Sequence, residues 1–287
     1  MSFDPESCCV LLSGEGAWAF EDFAHRLAAN LRIEVSAVPR KFNYLVWCEE
    51  SQIPPAESLF IPLPAIRLAA DKRLLADVFL KHAVPTPRTF LVNTREELRQ
   101  IIESHPQTEW CLKFPTSCGA SGHRLIGRDL LVPQDWPLPF VVQEFVRMER
   151  PEVYRTYGAA GEIFGWVARK FPEGTKPSPW VAHARGARYE RAGNLPDEAR
   201  KAARTALAAS GLLNSSGCAD LIRKTSGEWV VLEVGTDGLY NHVDREVADT
   251  DLENELNRRL AEAFWQRAGT APWKPNPWHA QQHRFAL

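Results

Sequence analysis

The chain predicts a mixed α/β and α+β fold, with a short α/β segment leading into several subdomains arranged around a cleft. Three observations predict it. Residues 8–48 alternate apolar strand-like runs with one amphipathic stretch, and residues 60–146 mix helical periodicity with isolated short strands. Residues 154–238 then hold two antiparallel hairpin patterns.

The first element is the apolar run CCVLL at 8–12, followed by the glycine turn SGEG and an amphipathic helix over AWAFEDFAHRLAANL. RIEVSAVP and NYLVWC read as two further strands, so the start is βαβ-like with parallel strands. Proline-rich IPPAESLFIPLPA separates this start from the rest of the chain. AIRLAADKRLLADVFLKHAV keeps apolar positions at helical spacing throughout and predicts one helix, ended by Ala83 and Val84 before Pro85. After the strand TFLV, Thr94 and Glu97 predict a capping box for the helix REELRQIIESH. EWCLKF, HRLIG and FVVQEFV are strands, and YRTYGAAGEIFGWVARK is a hairpin. PDEARKAARTALAAS is a helix stopped at Gly211, and DLENELNRRLAEAFWQRAG is a helix capped by Thr250 with Glu253 and stopped at Gly269. In the proline-broken tail, Trp273, Trp278 and Phe285 are expected to dock on the domain.

The hairpin GCADLIRKTSGEWVVLEVGTDG places two acids, Asp220 and Glu233, inside strands. With Ser226-Gly227 as the tight turn, Thr225 pairs with Glu228, and counting outward makes Asp220 the direct partner of Glu233 on one face. Like charges so placed destabilise a sheet, so a positive group is expected between them. A divalent cation is one such group, since hard cations favour carboxylate oxygens. A three-residue loop that shifts the register is an alternative, as is one acid turned to solvent against Arg223 or Lys224.

Composition narrows the function. The 287 residues are 45% hydrophobic and 24% charged with a formal net charge of −2, which provides no basic field for nucleic acid or a membrane surface. Six cysteines, Cys8, Cys9, Cys48, Cys111, Cys118 and Cys218, show no zinc spacing and read as reduced thiols. With no signal-like or membrane-spanning run, the expected location is cytoplasmic.

Lys113 enters a small-residue loop, Ser117 to Gly122, whose backbone amides could approach an anion. This is not a Walker A loop, and a plain turn explains it equally. Gly14, Gly16 and Ala19 match G-x-G-x-x-A with Glu34 about 20 residues on, a dinucleotide-site pattern; alternation in RIEV turns Glu34 outward, against that reading. Lys72, Lys113, Arg155 and Arg169 are basic groups suited to a triphosphate and a developing negative charge. Cys118 is read as a small loop filler before a nucleophile, and no triad can be assembled from the histidines.

From about residue 60 to 245 the order of these motifs resembles the ATP-grasp superfamily of ATP-dependent carboxylate ligases. ADKRLL with VPTPRTFLV, LKFPTSCGASG, VVQEFV, EVYRTY, VARK and GCADLI…WVVLEV are similar to its successive motifs. The resemblance implies two α+β subdomains gripping ATP, residues 64–143 and 144–287, behind a short N-terminal domain of residues 1–63. It implies that Lys72 and Lys113 touch ATP phosphates under a loop at Gly119, Ser121 and Gly122. Glu144, Phe145 and Val146 would line the adenine pocket, with Glu152 on the ribose. Arg155 and Arg169 would face the reacting carboxylate and γ-phosphate, and Asp220 and Glu233 would hold Mg²⁺. The family's usual asparagine is replaced by Gly235, for which Asp237 or Asn241 could substitute.

The implied activity is ligation: a small-molecule or peptide carboxylate is activated as an acylphosphate and attacked by an amine or other nucleophile. The alternatives are a catalytically degenerate ATP-binding protein or partner subunit, and a dinucleotide-dependent oxidoreductase. A homodimer is left open.

Overall fold

Three sheets carry the fold of the computed structural model, which describes residues 4–127, 132–133, 135–236 and 246–269. The first is parallel, in the order β2-β1-β3, from β1 (Cys8–Leu12), β2 (Glu34–Ser36) and β3 (Phe42–Trp47). Helix α1 (Glu21–Leu31) makes the crossover and buries Ala24, Leu27, Ala28 and Leu31 against it. β1 is buried along its whole length, as expected of the middle strand of a parallel sheet.

The proline-rich segment after β3 is not a simple linker. Leu59, Phe60 and Ile61 are buried, and the Phe60 amide donates to the Asn43 carbonyl at 2.9 Å. The prolines mark turns on either side of a core strap.

The single helix expected over residues 65–84 is two helices, α2 (Leu63–Ala70) and α3 (Lys72–Lys81). Asp71 sits between them in an extended conformation (φ −126°, ψ 112°), and its carboxylate accepts the Arg73 amide at 2.9 Å. It caps α3, which offsets the lost helical continuity. Apolar spacing continues across the break, so periodicity alone did not reveal it.

The second sheet is antiparallel, β4-β7-β5-β6, from β4 (Thr89–Val92), β5 (Trp110–Lys113), β6 (His123–Leu125) and β7 (Phe140–Glu144). Helix α4 (Arg95–Ser104) is capped by Thr94, whose hydroxyl accepts the Glu97 amide at 3.1 Å. The Glu97 carboxylate accepts the Asn93 amide at 2.7 Å, one residue earlier than the expected box.

The third sheet runs β10-β9-β8-β11-β12, from β8 (Glu152–Ala159), β9 (Glu162–Lys170), β10 (Arg188–Arg191), β11 (Ser216–Arg223) and β12 (Trp229–Gly235). Helices α5 (Asp197–Ala209) and α6 (Thr250–Arg267) pack on it. The α6 cap is Asp249 rather than Thr250, its carboxylate accepting the Leu252 amide at 3.1 Å. One continuous core joins the first and third sheets through α1, α3, α5 and α6. Asp237, Asn241 and the tail aromatics Trp273, Trp278 and Phe285 lie outside the described residues.

Candidate active site

Asp220 faces Glu233 across β11 and β12, as counted from the sequence, but by a different route. The tip is a three-residue loop in which Gly227 (φ +89°) donates to the Lys224 carbonyl and Lys224 donates to the Glu228 carbonyl, both at 2.9 Å. That loop shifts the register by one: Arg223 pairs with Trp229 and Leu221 with Val231. A bulge at Leu232, between the Leu221 and Asp220 rungs, shifts it back.

The positive charge beside Asp220 comes from two arginines. Arg155 stands opposite Asp220 on β8, so Arg155, Asp220 and Glu233 form one rung across three strands. The Arg155 Nε and Nη2 donate to Asp220 at 2.7 and 3.0 Å, and Arg169 Nη2 donates at 2.9 Å. Arg169 is held further by its Nε on the Val181 carbonyl and its Nη1 on the Tyr189 hydroxyl. Both guanidinium groups lie over the Tyr189 ring, 5.8 and 5.5 Å from its centroid. Asp220 is 2% exposed. Burial alone would raise its carboxyl, but the charges of Arg155 and Arg169 outweigh it and hold the group well below the usual carboxylate range. Neither Arg223 nor Lys224 pairs with Asp220; they hold Glu149 and Glu228.

Lys72 and Lys113 converge from a helix and from the second sheet. Lys113 ends β5, and Lys72 begins α3, its amide donating to the Pro115 carbonyl and its ammonium to the Ser117 carbonyl. Burial lowers the Lys72 pKa, opposed by Glu233 and reinforced by Lys113. The loop between β5 and β6 turns through Gly119 (φ +60°) and Ala120 (φ +59°). A Cβ on Gly122 would meet the Phe114 Cβ at 2.3 Å, so that close approach requires glycine.

These groups open on one cavity of about 870 Å³. Lys72, Lys113, Gly119, Glu144, Phe145, Val146, Arg155, Arg169, Asp220 and Glu233 all line it; Ser121, Gly122 and Glu152 do not. Glu152 instead accepts from the Tyr154 hydroxyl. The Glu144 and Phe145 amides are engaged by the Arg88 and Glu109 carbonyls.

Among solved structures, the ATP-grasp ligase PsnB complexed with minimal precursor superposes with a TM-score of 0.65 at 13% identity, over 92% of this chain and 100% of that one. The D-cycloserine synthetase DcsG gives 0.62 at 19%, covering 91% and 99%. The D-alanine–D-alanine ligase from Bacillus anthracis gives 0.64 at 14%, covering 92% and 97%.

The chain has the ATP-grasp fold. No protein-family model matches the sequence, and no curated protein matches it significantly.

The cavity is also lined by His123, Trp180 and His183, and Glu246 and Arg185 each bond to one of its lining residues. Trp180 meets His123 and Phe145 edge-on, at 5.0 and 5.1 Å between centroids. His183 pairs with Glu246 at 2.5 Å, and Glu246 also accepts the Tyr189 amide. Arg185 donates to the Ala120 carbonyl of the loop. Burial, then Lys113, Lys72 and Arg185, push the His123 pKa down to about 2. None of these lies in a spaced motif. The one available signal was the small, polar run AHARGARYE after β9.

The donor set fits a divalent cation only in part. Asp220 uses three of its roughly four lone-pair sites on arginines, leaving one on Oδ1, while Glu233 has no hydrogen bond or ion pair among the described residues. Gly235 contributes no side chain. No group of three His, Cys, Asp or Glu side chains suited to a metal occurs among the described residues. This suits Mg²⁺ held by one or two carboxylates with phosphate oxygens and water, and not an all-protein cage.

The glycine turn is accounted for without a dinucleotide. Glu34 is exposed, paired with Arg40 at 2.7 Å, and does not line the cavity. All six cysteines are thiols outside any disulfide. No described helix is long and apolar enough to cross a membrane.

Proposed function

We propose that the protein is an ATP-dependent ligase that activates a substrate carboxylate for attack by an amine. The observation that carries this reading is the single cavity in which Lys72, Lys113, Arg155 and Arg169 meet Asp220 and Glu233. The division into residues 1–63, 64–143 and 144–287 belongs to the same proposal.

In this reading Lys72 and Lys113 neutralise the phosphates of ATP, the cosubstrate. A substrate carboxylate oxygen attacks the γ-phosphorus, the bond to the β,γ-bridging oxygen breaks, and ADP leaves with that electron pair. The amine nitrogen then attacks the acylphosphate carbonyl carbon, phosphate leaves with the C–O bond, and the nitrogen loses a proton. Arg169 retains two of its five N–H donors beyond those it spends on Val181, Tyr189 and Asp220. These would receive the reacting oxygens, and Asp220 holds both guanidinium groups in place for them. Mg²⁺, held by Glu233 and the remaining Asp220 Oδ1 site, would supply charge neutralisation at the phosphates. No covalent nucleophile is required.

Gly235 supports a second reading, an ATP-binding protein without turnover. Mg²⁺-dependent ADP release with a pool of carboxylic acids and amines, lost in Glu233→Ala, supports the ligase. Saturable ATP binding with no release across the pool supports the binder.

A further inference from the structure

The cavity extends past its phosphate-facing end into the N-terminal domain, between β3 and α2. There Phe23, Val46, Trp47, Ile53 and Ile66 line it. Trp47 is 41% exposed. It is nonetheless fixed. Its ring stacks on Phe20 at 5.4 Å and 17°, and its Nε1 donates to the Glu15 carbonyl at 2.9 Å.

The Gly14-Glu15-Gly16 turn is the seat of that ring. Gly16 (φ +89°) lies against it, with the nearest ring atom 3.7 Å from where a Cβ would stand. Gly14 (φ +88°) approaches Glu49, which accepts the Glu15 amide at 2.9 Å. The turn spends its glycines on positioning an aromatic platform, which gives the G-x-G pattern a role other than phosphate binding.

The charged side chains lining this lobe, Glu50 and Arg67, are paired with each other at 3.5 Å. Among the described residues lining the lobe, the one cation offered to an acidic side chain is Arg67, already paired with Glu50, while Arg155 and Arg169 line the same cavity.

We propose that this lobe takes an aromatic or bulky aliphatic side group of the carboxylate substrate, laid against the Trp47 ring with the carboxylate directed to Arg155 and Arg169. The class is thus an apolar monocarboxylic acid, favoured over dicarboxylic acids. This rests on the ligase reading for which end of the molecule reacts.

The test is calorimetric binding of 3-phenylpropionate and of succinate to the full chain with ADP and Mg²⁺, alongside ADP release from ATP with an amine pool. Wild type should bind the aromatic acid at least roughly tenfold more tightly. Trp47→Ala should lose that preference, Trp47→Phe should keep most of it, and ADP affinity should be the same in both, which separates the effect from misfolding. Equal or better binding of succinate, an aromatic preference that survives Trp47→Ala, or no binding of the aromatic acid at millimolar concentration would overturn the proposal. Selective aromatic binding without ADP release from any mixture leaves the lobe standing and removes the ligase.

Discussion

Asp220 and Glu233 stand opposite each other because two one-residue offsets cancel: a three-residue loop moves the register one way and the bulge at Leu232 moves it back. Without the bulge, Asp220 would face Leu232 and Glu233 would turn to the other side of the sheet. Asp220 and Glu233 nonetheless play different parts. Asp220 is buried between two guanidinium groups, while Glu233 is half-buried on the cavity wall.

The two acids should therefore separate on mutation. Asp220→Ala leaves two largely buried arginines uncompensated and should cost about 3–5 kcal/mol, the range for breaking a buried pair. Glu233→Gln breaks no pair and should change stability by less than about 1 kcal/mol. ADP release should be lost in both. Urea denaturation beside an ADP-release assay checks this, and equal destabilisation by the two substitutions would contradict the assignment.

Lys72 should make nucleotide binding pH-dependent. Its pKa lies below the ordinary 10.5 because burial disfavours the charged form. Between the folded and unfolded pKa values the unfolded chain holds more protons, so stability rises with pH across that window. Phosphate restores the charge, so binding takes up a proton and ADP affinity should fall as pH rises through the folded-state pKa. Titrations from neutral to alkaline pH on wild type and Lys72→Met test it; the variant should bind more weakly with a flatter profile.

How much of this was legible depends on sequence distance. The facing of Asp220 and Glu233 lies within one hairpin, so counting found it, although with the wrong loop and no bulge. The capture of Asp220 by Arg155 and Arg169 depends on β8 pairing with β11, some 65 residues apart, and no local pattern encodes that. Lys72 and Lys113 were visible as basic residues within an expected helix and an expected strand, but their convergence rests on the Lys72 amide reaching Pro115. Tyr189, His183 and Glu246 were missed because the sequence assigns no element to residues 188–191, whose strand forms by pairing with β9, and because Glu246 reaches His183 and Tyr189 from about 60 residues away.

His123 should confer acid sensitivity. Its folded-state pKa of about 2 against an ordinary 6.5 means that its contribution is fully present above pH 6.5 and is lost as pH falls below it. While only this group takes up a proton, stability should fall by about 1.4 kcal/mol per pH unit, down to roughly pH 4, where carboxylates begin to protonate. His123→Gln should remove that slope. Denaturant midpoints across the interval measure it, and an unchanged slope in the variant would show that other groups carry the sensitivity.

The loop joining β5 to β6 should tolerate no side chain at Gly122. A Cβ there would meet the Phe114 Cβ at 2.3 Å and the Ser117 Oγ at 2.4 Å, and a Cβ is fixed to the backbone and cannot rotate away. Gly122→Ala should cost about 1–3 kcal/mol, the usual range for overpacking. Because the Ser117 carbonyl receives the Lys72 ammonium, ADP affinity should weaken with it.

Asp71 should act on nucleotide binding through position alone. Its carboxylate caps α3 through the Arg73 amide and also holds the Arg73 side chain, at 2.6 Å for the shortest contact, so it sets where α3 begins. Lys72 is the first residue of that helix. Asp71→Ala should cost about 1 kcal/mol, as for loss of an N-cap, and should raise KM for ATP while leaving kcat closer to wild type, because the first turn frays and the Lys72 ammonium loses its fixed approach to the loop. Asp71→Ser, which keeps a capping oxygen without the ion pair, should recover most of the stability and part of the KM. Equal loss in both variants would mean that the Arg73 pair, and not the cap, holds Lys72 in place.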